Sequence, residues 1–471
     1  MTLTDAAAAL FDSGDFTALL ARAVAIPSES QDPAAAPHLR AYLDDVLLPL
    51  LAPMGFDGRV HDNPVAGAPP ILLATRIEDP ALPTVLIYGH GDVIRAQSAD
   101  WRAGLSPFRL TAEGDRLYGR GAADNKGQHL VNIAALGLLI AERGRLGFNA
   151  KLLIEMGEET GSPGLDAFCA AERQALAADV LIASDGPRLA PDRPTIFTGA
   201  RGAKTFELVV NLRAGAHHSG NFGGLLADPA MILAQALAVI TDARGAIRVP
   251  EWRPDSLTPR LREILAALPP VEAGFALSEQ WGEPGLSPAE RVFGWNSFAI
   301  LALHAGRPEA PVNAIAGSAR ATCQLRFVTG TDPRAILPAL RRHLDAAGFG
   351  MVEIRDPGDS DFGATRLDPD HPWVTAVAAA LERATGLRPH LLPNLGGSLP
   401  NGCFAETLGL PTVWIPHSYA GCNQHAPDEH ALAPLLRQAL IAMTGLFGEI
   451  GDGRTDGRTN ETGRTRPEDG R

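Results

Sequence analysis

Four short apolar runs in this chain each end in a cluster of imidazole or carboxylate side chains, and that pairing limits the possible folds more than any other feature. Thr84–Tyr88 leads into Gly89-His90-Gly91-Asp92, and Ala150–Ile154 into Glu155-Met156-Gly157-Glu158-Glu159. Asp179–Ala183 leads into Ser184-Asp185-Gly186, and Pro411–Ile415 into His417 and, past a loop, His425. Short β-rich runs stopped by Gly or polar residues read as strands. A helix-period stretch, Gln128–Arg143, lies between the first run and the second. Strands alternating with helices imply an α/β fold, with a mostly parallel sheet covered by helices. In an open sheet of that kind ligands bind beyond the carboxyl ends of the strands. Polar groups tens to hundreds of residues apart are thereby drawn to one edge.

The rest of the chain fits around that sheet. Phe16–Ala25 and Ala36–Met54 carry helix-period apolar residues, and Ile71–Thr75 reads as a further strand. Character changes near Gly199–Gly202. Lys204–Leu212 and Ala319–Val328 alternate as half-exposed strands, and Met351–Arg355 is a third. Pro229–Thr241 and Pro333–Ala347 read as helices, the second opened by Asp332 as N-cap. These predict a small inserted α+β unit, antiparallel with two helices on one face, with Arg248–Ala310 placed only loosely. From Pro369 the α/β pattern returns: helix Trp373–Thr385, strand Pro411–Ile415, helix His430–Phe447. The expected division is 1–200 and 356–450 for one split domain, 201–355 for the insertion, and 451–471 for a disordered tail. That tail repeats Gly-Arg-Thr from 453, 457 and 463 and has no strongly apolar side chain.

Length and charge narrow the function classes. A chain of 471 residues exceeds one compact core. The 41 basic residues against 54 acidic ones give a net charge of −13, with no basic run, which argues against nucleic-acid or anionic-membrane partners. The longest apolar run, Leu130–Ala141, is too short to span a bilayer. Four scattered cysteines do not make a disulfide framework, and the first residues do not resemble a signal peptide, so a cytoplasmic location is expected.

Taken singly, each cluster has a bland explanation. His-Gly-Asp is commonly a turn, Glu-Glu a solvated helix start, and Ser-Asp-Gly a turn. The glycine-rich segment Gly119-Arg120-Gly121-Ala122-Ala123-Asp124-Asn125-Lys126-Gly127 is not a phosphate loop, because it lacks that spacing and its Asp would repel phosphate. Their shared place after strands reverses the odds. Carboxylates and imidazoles crowded into a partly buried cleft are costly unless a cation joins them. Two His, two Asp and one Glu offer N/O ligands suited to zinc, cobalt or manganese. One bridging carboxylate with two further ligands per ion gives a pair of ions roughly 3.5–4 Å apart.

At these residues the sequence resembles the dinuclear-zinc metallopeptidase family of carnosinase-type dipeptidases, aminoacylases, acetylornithine and succinyl-diaminopimelate deacylases, and glutamate carboxypeptidases. The resemblance runs from about residue 15 to 447. It rests on Tyr88-Gly89-His90-Gly91-Asp92, the Gly119–Gly127 segment, Gly157-Glu158-Glu159-Thr160-Gly161, and Ser184-Asp185-Gly186. His218-Ser219-Gly220 with Gly223-Gly224, Asn313-Ala314-Ile315, and Asn423-Gln424-His425-Ala426-Pro427-Asp428-Glu429 complete it.

The resemblance implies that Asp124 bridges two divalent ions, zinc first with cobalt or manganese as alternatives. His90 and Asp185 would complete one site, Glu159 and His425 the other. Glu158 would be the general base, Asp92 would orient His90, and a cis bond would follow Asp124. The insertion becomes a ferredoxin-like lid and dimerisation domain, whose His218 reaches the partner's site. Arg326 and Asn313 would hold the substrate's carboxylate, and Gly397 and Ser398 would line its pocket. Cys422 has no ligand role in the family pattern. The elaborated stretch Val249–Trp295 favours a homodimeric dipeptidase acting on small peptides. An N-acyl-amino-acid deacylase using the same residues, and a non-catalytic binding protein on the same scaffold, are the alternatives; the presence of Glu158 and all five ligand types weighs against the last.

Overall fold

The computed structural model describes residues 2–270, 276–358 and 362–455, and two principal β-sheets organise them. In chain order the first six strands belong to the larger sheet: β1 (Asp57–His61), β2 (Ile71–Arg76), β3 (Thr84–His90), β4 (Asn149–Glu155), β5 (Val180–Ala183) and β6 (Thr195–Phe197). The next four form the smaller sheet: β7 (Gly202–Asn211), β8 (Ser297–Ala305), β9 (Ser318–Phe327) and β10 (Glu353–Arg355). The chain then returns to the larger sheet with β11 (His390–Leu392) and β12 (Thr412–Trp414).

The larger sheet has the order β1-β2-β4-β3-β5-β12-β6-β11. Its centre, β4-β3-β5-β12, is parallel, and β6 pairs in parallel with β11. The edge strands β1 and β2 run antiparallel. Successive side chains enter opposite cores: Val85 and Ile87 on one face, Leu86 and Tyr88 on the other. Strand β4 divides Leu152 and Ile154 from Leu153 in the same way. Both faces are therefore buried, which explains why these runs are apolar throughout rather than alternating. Helices Lys126–Arg143, Pro372–Thr385 and Ala433–Gly451 supply much of the first core.

Two segments differ from the sequence expectation. Ala36–Met54 is not one regular helix: a wider turn occupies Tyr42–Leu47, and Pro49 and Pro53 each remove a backbone donor from the short helical turns Leu48–Leu51 and Ala52–Met54. His430–Leu432 is a strand paired with Arg116–Tyr118, and the final helix starts only at Ala433, where Pro434 fits the first turn.

The smaller sheet is antiparallel in the order β8-β9-β7-β10. Phe206, Leu208 and Val210 of β7 pack with Leu325 of β9 beneath the helices Pro229–Ile240 and Ile336–Ala346. The loosely placed stretch Arg248–Ala310 supplies the edge strand β8 and the short helices Pro259–Ala266 and Pro288–Phe293. On β8, Ile300, Leu301 and Leu303 are exposed. Of the segment expected to be disordered, 451–455 closes the last helix, with Asp452 accepting from Arg143, and 456–471 lies outside the described residues. Among the described residues no helix is long and apolar enough to cross a membrane.

Candidate metal centre

The carboxyl ends of β3, β4, β5 and β12 lead into the loops that carry the predicted ligands. His90 is the last residue of β3 and is fully buried. Its Nε2 lies 3.1 Å from Asp124 Oδ1 and 3.6 Å from Asp185 Oδ2. His425 Nε2 lies 3.0 Å from the other Asp124 oxygen and 3.1 Å from Glu159 Oε2. Two ligand groups result, His90-Asp124-Asp185 and Asp124-Glu159-His425, each with its ligand atoms within 4.8 Å of one another. Asp124 belongs to both.

Local backbone fixes these positions. The peptide bond from Asp124 to Asn125 is cis, as the resemblance implies. Two residues on, a Cβ at Gly127 would stand 2.0 Å from the Ala122 carbonyl oxygen, so only glycine lets the turn double back into the helix Lys126–Arg143. Asn125 Nδ2 donates to Ser184 O at 2.8 Å, tying the Asp124 turn to the end of β5. His425 itself has φ +61°, and its loop neighbours Asn423 and Asp428 are also left-handed. Non-glycine residues in that region are held there by their surroundings.

Asp92 works on two sides. Its Oδ1 lies 3.3 Å from His90 Nδ1, while its oxygens accept the backbone N–H groups of Glu158 and Glu159 at 3.2 and 3.1 Å. One buried carboxylate thus fixes the His90 ring and the turn Glu158–Thr160.

Two residues quoted in the motifs but given no role prove to be part of the centre. Gln424 donates its side-chain amide to Asp124 Oδ2. Glu429, which is buried, accepts from the amides of Gly121, Ala123 and Asp124 at 3.0–3.1 Å through one oxygen, and from Arg120 Nη1 at 2.8 Å through the other. Arg120 in turn donates to Ala426 O, so this buried pair clamps the Asp124 loop to the His425 loop. Adjacency to His425 is the signal for Gln424, whereas Glu429, four residues on, carries no local signal of its own. His417 is buried against Ser184 and Asn132 and lies apart from both ligand groups, and Cys422 is a buried free thiol.

The charge balance suits cations. Burial drives the Glu158 carboxyl well above its usual range against the pull of His90, with Asp185 and Glu159 adding to the rise. Burial and Asp124 raise Glu159 to about 7 and Asp185 to about 6. The Asp124 and Glu159 carboxylates hold the His425 imidazole up at about 10. Crowded carboxylates raised in this way are what a nearby divalent cation would lower again. Glu159 Oε1 is buried without a hydrogen-bond partner, and a cation is the partner such an oxygen lacks. The donor set, imidazole and carboxylate around one shared Asp, fits a pair of borderline ions.

These groups open onto a cavity of about 760 Å³. Asp124, Glu158, Glu159, Asp185 and His425 form one end, and Arg326, Gly397 and Ser398 line it too. Arg326, on β9 of the smaller sheet, donates to Ser398 Oγ at 2.9 Å across the two units. His218 and Asn313 do not line this cavity. They lie on an exposed ribbon in which His217–His218 pairs with Ala314–Ile315, and the His218 ring accepts only from Gly220 N, at 3.1 Å, among the bonds described.

Fold and site together define an α/β protein built around a centre for paired divalent ions. The family model described as Peptidase family M20/M25/M40 matches residues 86–447, and the chain belongs to that family. It is 35% identical to human Beta-Ala-His dipeptidase over 387 residues, which is 77% of this chain and 73% of that protein. The rat and mouse Beta-Ala-His dipeptidases align at 37% and 39% identity, and the alignments span only 39% and 37% of their lengths. Succinyl-diaminopimelate desuccinylase of a Methylobacterium strain is 28% identical over 369 residues, 76% of this chain and 78% of that one. The solved structure of the di-peptidase Dug1p from Saccharomyces cerevisiae superposes with a TM-score of 0.77 at 22% identity, covering 96% of this chain and 99% of that one, a likeness of fold.

Proposed function

We propose that this chain is a metal-dependent dipeptidase that hydrolyses the amide bond of small peptides. The observation that carries the reading is Glu158 standing beside two ligand groups that share Asp124, at the end of a substrate-sized cavity. The Beta-Ala-His dipeptidase relatives support it. His90, Asp124 and Asp185 would hold one ion, and Asp124, Glu159 and His425 the other, with zinc favoured over cobalt or manganese. When bound, such a pair polarises the scissile carbonyl and makes water a competent nucleophile near neutral pH. Glu158 takes the proton of the attacking water on its carboxylate and returns it to the departing amine. Asp92 keeps the His90 ring in its ligating orientation, Arg326 and Asn313 receive the carboxylate end of the substrate, and Gly397 and Ser398 line its pocket.

Residues 201–355 serve as a ferredoxin-like lid and dimerisation domain, and 1–200 with 356–450 as the catalytic domain. In a homodimer His218 and Asn313 act in the partner's cavity, His218 on the developing oxyanion. That neither residue lines the cavity of its own chain supports this, as do the exposed Ile300, Leu301 and Leu303 on an edge strand. The described cysteines are all free, in keeping with a cytoplasmic enzyme. A second reading, an N-acyl-amino-acid deacylase, is favoured by the desuccinylase relative. Steady-state rates on a dipeptide panel and an N-acetyl-amino-acid panel decide between them: higher kcat/KM on the dipeptides is expected, and the reverse order overturns the first reading.

A further inference from the structure

One wall of the cavity carries no polar side chain, and its position says which part of a substrate meets it. Phe197 and Leu392 are register partners on the parallel strands β6 and β11, so their side chains stand side by side on one face. Leu395 follows three residues later and is pinned by its backbone N–H to Gly199 O at 2.9 Å. All three line the cavity while scarcely exposed, at 2%, 1% and 8%. The wall comes close to the centre itself. A Cβ on Gly186, the residue after Asp185, would lie 3.1 and 3.2 Å from the two Leu395 methyl carbons and 3.7 Å from the Phe197 ring. Leu395 also lies one residue before the loop Gly396–Ser398, and Ser398 accepts from Arg326. The apolar surface therefore borders both the residue after the ligand Asp185 and the loop whose Ser398 accepts from Arg326.

We propose that Phe197, Leu392 and Leu395 form a subsite for an apolar side chain on the leaving amino acid, of leucine, methionine or phenylalanine size. The proposal rests on the amide-hydrolase reading above. With the scissile carbonyl at the ligand groups and the free carboxylate at Arg326, the residue between them is the one released as the amine. Its side chain is the part of the substrate that faces this wall. Contact with the wall removes apolar area from water, whereas a charged side chain there loses hydration with no partner on these three residues. A glycine leaves the wall without a ligand.

The test is kcat/KM for the full-length, zinc-reconstituted protein on Gly-Leu, Gly-Phe, Gly-Gly, Gly-Asp and Gly-Lys, with N-acetyl-Leu and N-acetyl-Gly in parallel. The apolar leaving residues are expected to lead by about 10- to 100-fold, the range a small change of apolar contact supplies. Leu395→Asn should compress that lead by about tenfold or more, and Leu395→Met should keep it. Free leucine should inhibit the wild-type enzyme more strongly than free glycine or lysine, a reading that needs no folded variant. Equal or better rates on Gly-Gly or Gly-Lys, or a lead that survives Leu395→Asn in a folded protein, would overturn the subsite and leave the dipeptidase standing. If the dipeptides are inert but N-acetyl-Leu far outruns N-acetyl-Gly, the dipeptidase reading fails and the subsite holds, because the leaving residue is the same.

Discussion

The carboxyl edge of the larger sheet and the ribbon His217–Ile315 both carry residues proposed for the reaction, yet they are built in opposite ways. At the sheet edge His90, Asp92 and Asp185 are buried, Asp92 stands against the His90 ring and the Gly186 amide donates to Asp185, although the His425 side chain is half exposed. On the ribbon His218 and Asn313 are exposed, and the chain offers the His218 ring little beyond the Gly220 amide. A group held from several sides keeps its geometry before any ligand arrives. A group left in solvent acquires its geometry only from what docks against it. The contrast separates functions completed within one chain from those that, in our proposal, need a second one.

The sharpest way to break this comparison is to empty the sheet edge. Exhaustive chelation, checked by metal analysis, should abolish hydrolysis, and added zinc should restore it. Full activity at near-zero metal content would remove the centre from the mechanism. Next in size is Glu158→Gln, expected to lower kcat by about 10²–10⁴-fold with metal content unchanged, whereas Glu159→Gln should lose metal. The opposite pattern would exchange their roles.

The ribbon is tested by His218→Ala, which should lower kcat by about 10²–10³-fold without loss of metal. Mixing it with Glu158→Ala should then restore roughly a quarter of all sites, since random pairing makes half the dimers mixed and one site in each is intact. No recovery despite verified subunit exchange would return His218 to its own chain. The smallest effects concern the support of the centre. Glu429→Gln should weaken metal binding by about 10–100-fold, measured by competition with a chelating dye.

The pH dependence of that affinity also has a definite sign. His425, raised to about 10, and Glu159, raised to about 7, must each release a proton to bind an ion. Affinity should therefore rise with pH between 6 and 8, by about tenfold per unit for each proton displaced. A flat profile would mean that neither group binds the ion.

Legibility from the sequence tracks the reach of its patterns. The central strands are legible from their apolar runs, and four of the five proposed ligands directly follow or closely trail such a run, whereas Asp124 sits in a glycine-rich turn and its role rests on the resemblance. Glu429 is not legible, since its partner Arg120 lies 309 residues away and nothing local marks the pair. Nor is β8: its side chains are mostly exposed at a sheet edge, so neither burial nor alternation imprints it. His430–Leu432 reads as helix because its apolar residues suit that period, and only the pairing with Arg116–Tyr118 makes it a strand.

The Glu429 contact also bears on the order in which the molecule can be made. Synthesis runs from the amino terminus, so the loop bearing Asp124 leaves the ribosome about three hundred residues before the carboxylate that receives its three amides. Until then those three donors have only water for a partner. The strand β12 and the final helix, which closes the first core, arrive in the same late stretch. Loading with metal thus reports on completion: a nascent or truncated chain that stops between residues 185 and 425 keeps four of the five proposed ligands but lacks both the fifth and the clamp of Glu429.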